Sequence, residues 1–104
     1  MSDERWVSLT DPTGAQTDVD VTVERFASLL DAVDPDELEH TVVSLEDSGA
    51  WYLEYNRDYL AFGNAEGGDP VVLKNVDRDE VLGVAADFIS GDLDALRARP
   101  WRAW

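Results

Sequence analysis

Trp51-Tyr52-Leu53-Glu54-Tyr55-Asn56-Arg57-Asp58-Tyr59-Leu60-Ala61-Phe62-Gly63 reads as two short strands joined by a polar turn. Side chains on a strand alternate between its two faces, so Trp51, Leu53 and Tyr55 share one face while Tyr52 and Glu54 take the other. After Asn56-Arg57-Asp58 the pattern resumes, with Tyr59 and Ala61 alternating against Leu60 and Phe62. This is the signature of a β-hairpin. Apolar, β-branched runs at 41–46 and 70–76 flank it, which makes the hairpin the middle of a sheet.

Working outward, Asp47-Ser48-Gly49 supplies the turn into the hairpin, and residues 63–70, rich in glycine, read as a flexible hairpin connection long enough to be mobile. Pro70 suits the beginning of a strand or an edge. Toward the N-terminus, Arg5-Trp6-Val7-Ser8-Leu9 forms a short strand stopped by Asp11-Pro12-Thr13-Gly14, with residues 18–21 as a candidate pairing partner. Thr22 stands at a helix N-cap, and Val23, Phe26, Ala27, Leu30 and Val33 recur at helical spacing, predicting a helix over 23–33 that Asp34-Pro35 ends.

Asp77-Arg78-Asp79-Glu80 opens a second helix, with Asp77 as N-cap and Glu80 three residues on. Its buried stripe is Val81, Leu82, Val84, Ala85, Phe88 and Ile89, and Ser90-Gly91 is the expected stop. Asp92 caps a short third helix carrying Leu93 and Leu96, closed by Pro100. Trp101 is expected to be packed and Trp104 partly exposed. The fold class that results is α+β. An antiparallel sheet of four to six strands carries two main helices and a short C-terminal helix on one face, all in a single domain spanning residues 1–104.

The chain holds 23 acidic residues against 8 basic ones, a net charge of −15. A field of that sign repels nucleic acid and anionic membranes and draws in basic partners. Direct nucleic-acid binding is therefore not expected. The longest apolar runs are too short for a membrane span or a signal-peptide core, so the expected location is the cytoplasm. Cysteine is absent, which excludes disulfides and thiolate chemistry.

Candidate catalytic groups are sparse. His40 is the only histidine, so a two-histidine zinc site is excluded, and it reads as an ordinary residue at a helix-to-strand junction. The glycines of 63–70 lack the lysine and hydroxyl residue of a phosphate loop and lead into a strand. The acids between 31 and 39 do not follow the order of a calcium loop. Neither enzymatic activity nor a metal or other cofactor is expected.

The distribution of charge is more informative. Residues 23–50 carry eight acids against one base, whereas Arg97, Arg99 and Arg102 crowd the end of the chain. Asp31, Asp34, Asp36, Glu37 and Glu39 form the candidate binding surface for the basic cleft of a partner, and Trp104, beside Arg102, is a further candidate anchor.

The penultimate helix ending in Phe88-Ile89-Ser90-Gly91, followed by the tryptophan of Pro100-Trp101, resembles actinobacterial immunity proteins of the Imm1 type. Trp51 and Gly63 stand for the glycine- and tryptophan-containing middle, and the resemblance covers residues 19–101. It implies a non-enzymatic protein that neutralises a cognate toxin by binding it.

The expected function is accordingly that of a small acidic protein inhibiting a basic partner, an immunity protein facing a toxin such as a nuclease. One alternative is a regulatory or small-ligand domain, or a complex subunit, with Tyr52, Tyr55 and Tyr59 around a pocket and an acidity inherited from its host. Another is a phage-encoded nucleic-acid mimic that blocks a defence nuclease.

Overall fold

A computed structural model describes residues 6–19, 21–32, 42–56 and 59–103. Among the described residues, seven strands and three helices follow in the order β1 (Val7–Thr10), β2 (Gln16–Thr17), α1 (Val23–Ala32), β3 (Val42–Asp47), β4 (Trp51–Asn56), β5 (Tyr59–Asn64), β6 (Gly67–Lys74), α2 (Arg78–Ser90), α3 (Leu93–Arg97) and β7 (Arg102–Ala103). The strands form one antiparallel sheet in the spatial order β2-β1-β3-β4-β5-β6-β7. The hairpin β4–β5 lies at its centre, as its pattern predicts.

Register fixes the two faces. Leu9, Leu45, Leu53, Phe62 and Val71 lie side by side in one row, and Val43, Tyr55, Leu60 and Leu73 in the next. Both rows face the helices. They join Phe26 of α1, Val81, Val84, Ala85 and Phe88 of α2 and Leu96 of α3 in a single buried cluster, so all three helices cover the same face. Burial of this apolar surface, at about 25 cal/mol per Å², is the main force holding the two layers together.

Local signals place the helix ends where the sequence indicates. The Thr22 hydroxyl accepts from the Arg25 amide at 3.2 Å, and Asp77 accepts from the Glu80 amide at 2.8 Å. Gly91 takes a left-handed conformation, φ 80°, while the Asp92 amide reaches back to the Asp87 carbonyl at 2.9 Å in a Schellman stop. Asp92 in turn caps α3 through the Ala95 amide.

The sheet departs from expectation in three places. It has seven strands among the described residues instead of four to six, because Arg102–Ala103 adds β7 against Val71 and Val72. Two residues carry no periodicity of their own, and only the neighbouring strand makes them one. The partner of β1 is Gln16–Thr17, earlier than the stretch 18–21, since a tight turn already reverses the chain. There the Asp11 carboxylate accepts from the amides of Thr13 and Ala15 and from the Thr13 hydroxyl.

The third departure is at 63–70, where the hairpin connection expected there is a two-residue turn and not a long loop. β5 continues to Asn64, β6 starts at Gly67, and only Ala65 and Glu66 turn. Opposite Gly63 the register shifts, so that Gly68, Asp69 and Pro70 face one residue. A bulge of this kind accommodates Gly68 at φ 84° and Pro70, which has no N–H to give a ladder. The turn is also tied down. The Ala65 amide donates to the Ala50 carbonyl at 2.8 Å and the Asn64 side-chain amide donates to the Gly49 carbonyl at 3.0 Å.

Candidate functional site

Of the acids expected to face a partner, the structure describes only Asp31. It sits at the end of α1 and accepts a forked pair of hydrogen bonds from Arg78 at the start of α2, at 3.1 and 3.0 Å. Its charge is therefore matched within the domain, and the pair joins the two helices. Asp34, Asp36, Glu37 and Glu39, and likewise Trp104, lie outside the described residues. A second ion pair, Arg99 to Asp87 at 2.9 Å, ties the segment after α3 to α2.

The end of the helical layer is aromatic. Trp51 stacks on Phe62 with ring centres 5.2 Å apart and an angle of 11°, and Trp101 stacks on Phe62 at 5.5 Å and 29°. Phe88 meets Phe62 edge-on, and the Arg97 guanidinium lies over Trp51 at 5.5 Å. Trp101 also donates its indole N–H to the Leu96 carbonyl. These contacts account for both tryptophans as parts of the packed structure, and Trp101 is packed as expected.

The opposite face of the sheet has no helix over it among the described residues. Its rows read Ser8, Glu46, Tyr52, Gly63, then Gln16, Thr10, Ser44, Glu54, Ala61, Val72, Arg102, then Val42, Asn56, Tyr59, Lys74. Small residues line its middle, and Ser8, Ser44, Ala61 and Val72 are buried between taller neighbours. Glu46 and Glu54 stand exposed on the β3–β4 side, with neither in an ion pair among the described residues, and Lys74 and Arg102 mark the far edge.

Tyr52 and Tyr59 belong to this open face, whereas Tyr55 points to the helical layer and packs against the core. The three tyrosines therefore do not line one pocket.

Trp6 is the residue that sequence reasoning undervalued. It is 53% exposed, on the open-face side of β1, yet its backbone is held on both sides. Its amide donates to the Ser48 hydroxyl at 3.3 Å and its carbonyl accepts from the Ser48 amide at 3.1 Å. The signal was present in the alternation: Val7 and Leu9 face the core, so Trp6 shares the polar side with Ser8. Beside it opens a hollow of about 410 Å³ lined by Trp6, Ser8, Gln16, Thr17 and Asp18.

Among the described residues no group of three or more histidine, cysteine, aspartate or glutamate side chains is placed to hold a metal ion. No helix there is long and apolar enough to cross a membrane. No family model, curated protein or solved structure matches the chain.

Proposed function

We propose that this domain is a non-catalytic inhibitor of a basic protein, related to its partner as an immunity protein is to its toxin, and that it acts in the cytoplasm. The observation that carries this reading is the make-up of the open sheet face. There Glu46 and Glu54 are exposed without a counter-charge among the described residues, close to Tyr52, and Asp18 and Trp6 continue that surface. Carboxylates interspersed with tryptophan and tyrosine suit an interface in which the charges steer and select while the aromatics supply contact area. The resemblance to the Imm1 type supports the same reading, and a toxin with a basic substrate cleft, such as a nuclease, is the partner that a net charge of −15 fits best.

The test is capture of partners on the tagged domain at low ionic strength, elution by a salt gradient, and assay of the eluted protein's own activity with and without added domain. A basic protein that elutes as salt rises and loses activity at one equivalent of domain supports the proposal. A retained protein whose activity is untouched by the domain overturns it.

A further inference from the structure

We infer that the hollow beside Trp6 is a receptor for one arginine side chain of the basic partner, an inference that rests on the reading of this domain as a binder of such a protein. Three independent features of the hollow converge on a guanidinium.

One wall is an indole. Trp6 exposes half of its surface, and the paired hydrogen bonds to Ser48 hold the backbone from which the ring projects. A flat cation stacks on such a face, and tryptophan is the best of the aromatic residues for it. Because the backbone is already ordered, less conformational freedom is lost on binding.

The second wall is a carboxylate. Asp18 is exposed and has no counter-charge among the described residues. Its position is set by the turn in which the Val19 amide donates to the Thr17 hydroxyl at 3.2 Å. A carboxylate accepts two parallel N–H bonds from a guanidinium, a geometry that an ammonium group does not match.

The floor is polar and preorganised. Ser8 is 3% exposed and its hydroxyl accepts from the Gln16 side-chain amide at 2.9 Å, which holds the Gln16 side chain over the floor. The Gln16 side-chain carbonyl remains an acceptor. Indole, carboxylate and neutral acceptors form a set that favours a cation, and the net charge of the protein disfavours an anion in the same place. The hollow opens onto the row Ser8, Glu46, Tyr52, so an arginine seated in it places the remainder of a basic partner over Glu46 and Glu54.

The experiment uses the whole chain labelled with ¹⁵N, titrated with N-acetyl-arginine methylamide and separately with its citrulline counterpart, which has the same shape and no charge. Shifts of the Trp6 indole N–H and of the Ser8, Gln16, Thr17 and Asp18 amides with the arginine compound alone are the expected result. Trp6→Ala and Asp18→Asn should each weaken that binding roughly two- to fivefold, the range for exposed cation–aromatic and charge contacts. Equal shifts with the citrulline compound, or shifts that leave the Trp6 indole unmoved, overturn the assignment. Both side chains are exposed, so the variants are expected to fold, and an unchanged thermal transition verifies it. With an inhibited partner in hand, an inhibition constant that Trp6→Ala leaves unchanged removes this site and leaves the inhibitor reading standing. Arginine binding without any inhibited partner does the reverse.

Discussion

The Tyr52 ring lies directly across Gly63 on the open face of the sheet. A Cβ at Gly63 would come within 2.7 Å of the Tyr52 hydroxyl and 3.3 Å of the Pro70 Cα. The glycine is thus required by a close approach from two sides, one of them backbone that cannot yield. Gly63→Ala is expected to destabilise the fold by about 1–3 kcal/mol, as overpacking of a tight site does. Urea unfolding checks this, and adding Tyr52→Ala to Gly63→Ala should recover part of the loss, because the two positions are coupled.

Phe62 is the middle ring between Trp51 and Trp101 and is touched edge-on by Phe88. Phe62→Ala is expected to cost roughly 3–5 kcal/mol, as deletion of a buried phenylalanine does. It should also remove most of the near-ultraviolet circular dichroism of the two tryptophans. A variant that keeps that signal would show that the stack does not depend on Phe62.

The forked ion pair Arg78–Asp31 is more than half exposed at both ends, 52% and 62%. Solvent screening limits what such a pair contributes, and Asp31→Asn is expected to change stability by less than about 1 kcal/mol. It is also expected to leave partner affinity nearly unaltered, since Arg78 already matches this charge. Glu46→Lys with Glu54→Lys should instead abolish retention of the basic partner at low salt. Retention that survives the double reversal would remove the open face from the interface.

The two ends of α2 are held by Asp77 and by Gly91 in its left-handed conformation. Asp77→Ala is expected to cost about 1 kcal/mol, the usual value of an N-cap. Gly91→Ala, which places a Cβ at positive φ, should cost a similar amount, about 1–2 kcal/mol. The sites are at opposite ends of a 13-residue helix, so the double variant should show the sum in thermal or urea unfolding.

Asp11 closes the β1–β2 turn. The hydrogen bond from the Thr13 hydroxyl holds its carboxyl below the ordinary value; desolvation opposes it, and the amides of Ala15, Thr13 and Gly14 each add a smaller pull in the lowering direction. A carboxyl whose folded pKa is depressed adds stability above its unfolded pKa and loses it as pH falls through the folded one. The turn should therefore loosen in acid, below about pH 3.8. Hydrogen exchange of the Thr13 and Ala15 amides should accelerate there relative to the β4–β5 amides, and Asp11→Ala should show the faster exchange already at neutral pH.

Much of this architecture was legible along the chain because the interactions that specify it are short in sequence. Alternation placed Trp51, Leu53, Tyr55, Leu60 and Phe62 on one face and Tyr52, Glu54, Tyr59 and Ala61 on the other, and a one-residue slip would have exposed the whole set. Thr22, Asp77 and Asp92 cap helices through amides three residues away, and Gly91 stops α2 through bonds closed within its last turn. Signals of that range need no knowledge of the rest of the molecule.

Contacts between distant segments decided the remainder. Arg102–Ala103 becomes a strand only because Val71 and Val72 offer an edge. Residues 63–70 become a hairpin because the turns at Gly49–Ala50 and Ala65–Glu66 bond to each other. Asp31 was legible as one of several acids, but its pairing with Arg78, 47 residues away, was not. Trp6 and Asp18 come to line one hollow through the β1–β2 turn and the anchor to Ser48. Local periodicity sets which way a side chain faces. Which charges are matched and which are left for a partner depends on neighbours in space, and those exist only once the sheet has closed.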